Sequence, residues 1–168
     1  MKISGGVIMI TGAASCIGRA TALAFARRRL ACLILCDIDE PGLEETARGL
    51  EALGCEALSL PMDVTDHHSV EQVVSEVVGR LGRLDMLVNA AGIVMMGRME
   101  CLTREDWRRV IDINLWGTIN TNRAVYRRML SHGSGHIVNV ASANGIYAPM
   151  SCDTGPTSPP AKKSRAAE

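Results

Sequence analysis

A turn of small residues, TGAASCIG from Thr11 to Gly18, follows the first apolar run of the chain. Small side chains let backbone N–H groups approach a phosphate, and the start of the following helix favours negative charge. Asp37 ends the next apolar run about 20 residues beyond the turn, where a carboxylate can bond ribose hydroxyls. Alone, Asp37 could be a solvated loop acid or a helix cap. Together with the turn it favours a dinucleotide site, and NAD over NADP because its charge would repel a 2′-phosphate.

Strands and helices alternate along residues 1–153. Continuous apolar runs, typical of strands covered on both faces of a parallel sheet, predict five strands. They are Val7–Thr11, Cys32–Cys36, Glu56–Leu60, Met86–Val88 and His136–Ser142. Helices between them imply right-handed crossovers, so we predict a doubly wound, Rossmann-like α/β domain over residues 1–153.

Periodic apolar positions and capping signals place the helices. The sequence predicts helices over Gly18–Arg29, from Pro41, and from Asp66, where valines recur with the helical period. A capping box at Thr103–Asp106 opens a long helix toward Ser131. No apolar period follows Asp153, so residues 154–168 are predicted to be a disordered tail.

Composition limits the class of protein. Lys and Arg together number 18, as do Asp and Glu, so net charge gives no attraction to nucleic acid. Aromatic residues make up 3% of the chain, which disfavours base-stacking surfaces. The six cysteines lack the paired spacing of zinc sites, which predicts buried, reduced thiols, no metal and a cytoplasmic protein. No apolar run approaches the ~18 residues of a membrane span.

Five ordered markers make the sequence resemble the short-chain dehydrogenase/reductase family. They are Thr11–Gly18, Asp63-Val64, Asn89-Ala90-Ala91-Gly92, Asn114–Gly117 and Val138–Ser142. The resemblance extends from about Ile3 to Asp153. It implies a Rossmann-fold enzyme that interconverts small-molecule alcohols and carbonyls by hydride transfer with NAD(P). It also implies a homo-oligomer formed through the long helix, Asp106–Ser131.

The same resemblance implies which residues form the site. The cofactor-binding set is Gly12, Ser15, Cys16, Ile17, Gly18, Asp37, Asp63, Val64, Asn89, Ala90, Ala91 and Gly92. Within it, the Asp63-Val64 pair would hold the adenine ring, and the Asn89–Gly92 segment would line the cofactor and stabilise the central strand. The catalytic residues implied are Asn114, which would organise a water relay, and Ser142, which would hold the substrate oxygen.

Each of these residues has a structural alternative. Asp63 could cap a helix, and Asn89 and Gly92 could form a turn. Asn114 could cap or bridge within its helix, and Ser142 could bond its own backbone at the end of a strand. The sequence alone leaves these alternatives open.

Cys16 departs from the family pattern, which has glycine at that position. If the position needs a positive φ, a side chain there costs about 1–2 kcal/mol. The thiol would also crowd the cofactor, so we expect weakened binding rather than none. A redox-sensing thiol at a helix N-terminus is the functional alternative.

The family's catalytic Tyr-x-x-x-Lys pair has no counterpart in the sequence. The positions where the family carries the two residues hold Gly155 and Pro159, and neither Tyr126 nor Tyr147 has a lysine four residues later. A tyrosine hydroxyl, with a pKa near ~10, needs a nearby cation to carry a proton near neutral pH. We therefore predict a C-terminally truncated form that lacks the later strands, exposes strand five as an edge and is inactive.

Three functions remain open from the sequence. The first is an NAD(H)-dependent oxidoreductase, of which this chain is a shortened and inactive form. The second is a non-catalytic dinucleotide-binding module. The third is an unstable or partner-binding fragment of a full-length enzyme.

Overall fold

The computed structural model describes residues 4–28 and 30–142. The predicted disordered tail, Tyr147, and the positions of Gly155 and Pro159 lie outside the described residues. Ser142 is the last residue described. Among the residues described, no helix combines the length and the apolar character needed to cross a bilayer.

One sheet of five parallel strands, in the order β3-β2-β1-β4-β5, forms the centre of the fold. The strands are β1 (Val7–Thr11), β2 (Cys32–Asp37), β3 (Ala57–Pro61), β4 (Met86–Asn89) and β5 (His136–Asn139). The chain runs outward from β1 to β3 and then returns to β4 on the other side of β1. The direction of winding therefore reverses between β1 and β4, which confirms the predicted doubly wound α/β fold.

The fifth strand is shorter than predicted. It pairs with β4 from Met86↔His136 to Asn89↔Asn139, and the backbone N–H of Val140 makes one further bond to Asn89 O at 2.9 Å. The ladder ends there because β4 itself ends at Asn89. β5 is an edge strand of the described sheet, and its side chains are mostly exposed.

Five α-helices connect and follow the strands in the described part of the chain. They are α1 (Cys16–Ala26), α2 (Glu40–Glu51), α3 (His67–Leu81), α4 (Arg104–Ile111) and α5 (Thr118–His132). The capping box is confirmed, since Thr103 Oγ1 accepts from Asp106 N while Asp106 Oδ2 accepts from Thr103 N. The predicted long helix is interrupted, because the six residues Asp112–Gly117 form a π-helix between α4 and α5.

Helices cover both faces of the sheet, which explains the continuous apolar runs. On one face Met9, Ile34 and Leu87 pack with side chains of α3 and α5. On the other face Ile10 and Leu35 pack with side chains of α1 and α2. Burial of apolar surface on both sides of the sheet therefore holds the carboxyl ends of β1, β2 and β4 in fixed positions beside one another.

Candidate functional site

The glycine turn after β1 requires glycine at position 12. Gly12 has φ +68°, and a Cβ there would lie 2.7 Å from Ala91 N and 2.8 Å from the Ala90 carbonyl. A Cβ at Gly18 would lie 2.0 Å from Gly12 O, so the first turn of α1 packs directly on the glycine turn. The turn is thereby held between β4 and α1, and no larger side chain fits at either glycine.

Cys16 occupies a backbone conformation that favours glycine. Its φ is +44°, and it is the single non-glycine residue with positive φ among those the structure describes. The φ is therefore positive, and the backbone cost expected for a side chain at this position applies. Its side chain is exposed, and the preceding N-cap residue, Ser15, makes no side-chain capping bond. The backbone N–H groups of Cys16, Ile17 and Gly18 start the helix and have no intrahelical acceptor.

The carboxylate of Asp37 lies against the glycine turn. Its Oδ2 accepts a hydrogen bond from Ala14 N at 3.1 Å, and its Oδ1 accepts from Asp39 N at 3.1 Å. The N-cap of α2 is Asp39 rather than Asp37. The turn and the acid, which the sequence singled out separately, thus meet at the carboxyl ends of β1 and β2.

Asn89 is buried at the centre of a hydrogen-bond cluster that reaches the surface at Asn139. It is 4% exposed, and its Nδ2 donates to Asn122 Oδ1 and Asn139 Oδ1, both at 2.8 Å. Its Oδ1 accepts from Thr121 Oγ1 at 2.8 Å and from Thr11 Oγ1 at 3.5 Å. The side chain therefore links β4 to β1, β5 and α5. Its role is not limited to forming a turn.

Thr11 fixes the segment that follows Asn89. Its Oγ1 accepts from Ala90 N and from Ala91 N, each at 3.2 Å. Ala91 N and the carbonyl of Ala90 are also the atoms closest to the Cβ position at Gly12. Sequence reasoning missed Thr11, although a hydroxyl residue directly before a glycine turn was a usable signal.

The predicted adenine-binding pair follows β3. Asp63 Oδ1 accepts from Thr65 N and Thr65 Oγ1, both at 2.8 Å, so it forms a local turn, while Asp66 caps α3. Val64 is 8% exposed, and a Cβ at Gly117 would lie 2.6 Å from its Cγ2. The loop after β3 is therefore packed against the end of the π-helix.

Asn114 lies within the π-helix and holds the loop after β4. Its Oδ1 accepts from Ile93 N at 2.9 Å, and its Nδ2 donates to Ile93 O at 2.9 Å. A Cβ at Gly92 would lie 3.3 Å from Asn114 Oδ1. The amide bridges to another segment rather than within its own helix. Single π-helical turns occur frequently at functional sites, but no period in the sequence reveals this one.

The cysteines correct one expectation. Cys36 is fully buried, and burial, with the negative charge of Asp37 in second place, raises the pKa of its thiol well above the ordinary range. Cys16 and Cys101 are exposed, so the prediction that all the thiols are buried is wrong for these two. Within residues 4–28 and 30–142, no three His, Cys, Asp or Glu side chains group in a way that could hold a metal ion.

Comparison with known proteins defines the family. The sequence model for short chain dehydrogenase matches residues 6–152, so the chain belongs to the short-chain dehydrogenase family. It is 40% identical over 147 residues to the 3-oxoacyl-acyl-carrier-protein reductase FabG of Thermotoga maritima, covering 88% of this chain and 59% of the relative. The family binds NAD(P) cofactors.

Solved structures share the fold. An NAD⁺-bound xylitol dehydrogenase superposes with a TM-score of 0.84 at 35% identity, covering 89% of this chain and 57% of that structure. A short-chain dehydrogenase/reductase from Burkholderia phymatum in complex with NAD gives a TM-score of 0.84 at 32% identity, covering 89% and 53% respectively. The chain thus spans between half and three-fifths of the length of these proteins.

Proposed function

We propose that these 168 residues bind NAD(H) at the carboxyl ends of β1, β2 and β4 and do not by themselves catalyse turnover. The observation that carries the proposal is the contact between the glycine turn and the Asp37 carboxylate, 3.1 Å from Ala14 N. Two structural relatives hold NAD, the xylitol dehydrogenase and the Burkholderia phymatum protein, and they support the same cofactor here.

We expect the turn to bind a pyrophosphate. Gly12 and Gly18 let it pack directly against the loop after β4 and the start of α1, and the first N–H groups of α1 lack intrahelical acceptors. Asp37 would bond the adenosine ribose and repel a 2′-phosphate, which favours NAD over NADP. The Asp63-Val64 pair would hold the adenine, and the Asn89–Gly92 segment would line the rest of the cofactor.

The chemistry of the bound cofactor would be hydride transfer at its nicotinamide. Asn114 and Ser142 are the family's catalytic residues present in the chain, and neither Tyr126 nor Tyr147 begins a Tyr-x-x-x-Lys pair. A small-molecule alcohol that loses hydride must also lose a proton, and the Tyr-x-x-x-Lys pair with which the family takes that proton has no counterpart in the sequence. We therefore propose oxidoreductase ancestry with dinucleotide binding but without turnover. The cytoplasmic location stays a prediction.

Calorimetric titration of the purified 168-residue chain with NADH and NADPH tests this proposal. We expect saturable one-to-one binding that is tighter for NADH, with no NAD-dependent oxidation of alcohols above a protein-free blank. Glu105→Gln, which removes an exposed charge on α4, should leave the affinity unchanged. Absence of NADH binding by a folded chain contradicts the proposal, as does steady turnover.

A second part of the proposal is self-association through α4 and α5. These helices and the π-helix between them expose large apolar side chains: Trp107 and Ile111 on α4, Leu115 on the π-helix, and Tyr126 and Leu130 on α5. Exposed apolar side chains of this size, where they group on one surface, are typical of protein–protein interfaces. We expect a dimer in analytical ultracentrifugation that Leu115→Glu and Leu130→Glu convert to monomer. If the unsubstituted chain is a monomer, the proposed self-association is contradicted, and the nucleotide-binding proposal is unaffected.

A further inference from the structure

Arg19 joins the glycine turn to α2. Its Nε donates to Ala14 O at 3.0 Å and to Thr46 Oγ1 at 3.1 Å. Its Nη1 and Nη2 donate to the two carboxylate oxygens of Glu45, at 2.8 and 3.0 Å. Nη2 also bonds Ala14 O. One guanidinium thus contacts the backbone of the turn and two side chains of the neighbouring helix.

Thr46 makes the second contact between α2 and the turn. It is 1% exposed, and its Oγ1 lies 3.0 Å from Ala13 O and 3.0 Å from Gly42 O. A hydroxyl at this depth needs its partners, because a buried and unpaired polar group is costly. Thr46 therefore links the carbonyl of the turn, its own helix and the Arg19 guanidinium.

These contacts complete the hydrogen bonding of two successive residues of the turn. Ala13 N donates to Cys36 O at 3.1 Å, and Ala13 O is held by Thr46. Ala14 N donates to Asp37, and Ala14 O is held by Arg19. All four backbone polar groups have a partner outside the turn, so the path of the chain into Ser15 and the first turn of α1 is fixed before any ligand arrives.

We propose that Arg19, Thr46 and Glu45 are positioning residues for the pyrophosphate of the dinucleotide. They hold the turn in the conformation that presents the first N–H groups of α1 to the ligand, so binding does not have to order the turn. This inference rests on the proposed function. It adds three residues that touch no cofactor themselves and act through the backbone of Ala13 and Ala14.

A simpler role for Arg19 is long-range attraction of an anion by its positive charge. The two roles make opposite predictions for Glu45. If charge alone mattered, Glu45→Gln would remove a negative charge near the turn and strengthen binding, and Arg19→Lys would keep the affinity. If geometry matters, both changes weaken binding. Lysine lacks the planar, forked donors that bond Ala14 O, Thr46 Oγ1 and Glu45, and glutamine offers only one acceptor oxygen to the guanidinium.

The experiment measures the affinity of each variant for ADP-ribose and for adenosine by calorimetry. We expect Arg19→Lys to weaken ADP-ribose binding about tenfold and Glu45→Gln about two- to fivefold. Thr46→Val should weaken ADP-ribose binding. Thr46→Ser, which keeps the hydroxyl, should bind ADP-ribose as the unsubstituted chain does. Adenosine, which carries no phosphate, should change by less than about twofold in every variant. A general loss of stability would reduce both affinities together. The ratio of the ADP-ribose affinity to the adenosine affinity therefore distinguishes a positioning role from a loss of folded protein.

Matched controls come from the ion pair between Glu76 and Arg80 on α3, whose charged atoms lie 2.8 Å apart. Glu76→Gln and Arg80→Lys should leave both affinities unchanged. Unchanged ADP-ribose affinity in Arg19→Lys, or stronger binding in Glu45→Gln, would overturn the positioning role while the proposed function stands. If the parent chain binds no ADP-ribose, the proposed function and this inference fail together.

Discussion

The Oδ2 atom of Asp37 accepts a hydrogen bond from the backbone N–H of Ala14, with the two atoms 3.1 Å apart. The residue proposed to select the ribose is therefore also part of the support of the glycine turn. A carboxylate has several acceptor sites, so the bonds to Ala14 and Asp39 leave capacity for ribose hydroxyls. Cofactor preference and the conformation of the turn are consequently linked through one side chain.

Asp37→Asn should change the cofactor preference. The amide oxygen can still accept from Ala14 N, but the charge that repels a 2′-phosphate is gone. We expect the Kd for NADH to rise about tenfold and the preference for NADH over NADPH to fall by at least that factor. Calorimetric titration with both cofactors measures the ratio. An unchanged ratio of NADH to NADPH affinity would show that Asp37 does not contact the ribose.

Cys16→Gly should stabilise the chain. The left-handed conformation costs a non-glycine residue about 1–2 kcal/mol, which the substitution relieves. The greater freedom of glycine in the unfolded state reduces this gain by about 0.5–1 kcal/mol. We expect a net gain of about 0.5–1 kcal/mol in the free energy of unfolding by urea, together with tighter NADH binding. Cys16→Ala removes the sulfur but keeps the strain, so its stability should not rise. Equal effects of the two substitutions would mean that the thiol, and not φ, is responsible.

Asn89→Ala should be strongly destabilising. The change leaves Thr121, Asn122 and Asn139 without their shared partner inside the fold. We expect a loss of about 2–4 kcal/mol in the free energy of unfolding, because all the hydrogen bonds around one buried amide are lost at once. Asn120→Ala, whose amide reaches Val64 O at 3.0 Å, is the matched control and should cost about 1 kcal/mol. Similar losses in both variants would contradict the central role of Asn89.

Asp85 should make stability depend on acid pH. Burial opposes its ionisation, but hydrogen bonds from Arg83 and from Val7 N outweigh burial and hold the pKa of the carboxyl below its usual range. A lowered pKa in the folded state means that this stability is present above the unfolded pKa, near 3.8, and is lost as the pH falls through the folded value. The free energy of unfolding of the parent chain should exceed that of Asp85→Asn at neutral pH, and the difference should shrink below about pH 4. A difference that stays constant to acid pH would contradict this contact.

The sequence predicted the features that depend on local pattern. Continuous apolar runs such as the one at Cys32–Cys36 identified buried parallel strands, and the spacing of Thr103 and Asp106 identified a capping box. The same kind of reasoning singled out Cys16 as a residue that would be strained if its φ were positive, and the φ is positive.

Contacts between distant residues were not predictable in this way. Arg19 and Glu45 look like ordinary surface charges in the sequence, and their bond joins residues 26 apart. Asn122 and Asn139 carry no local signal that connects them to Asn89. The π-helix at Asp112–Gly117 could not be predicted from periodicity in the sequence either. It depends on the contacts of Asn114 and Gly117 with neighbouring loops.

Thermal unfolding of the purified chain with and without NADH tests the central claim most directly. A ligand that binds the folded state alone stabilises it by about 2.7 kcal/mol at a concentration a hundred times its Kd. We predict one cooperative transition whose midpoint rises with NADH concentration and rises less with NADPH. A cooperative transition that does not move with NADH would contradict nucleotide binding, and the absence of a cooperative transition would show that the chain does not fold alone.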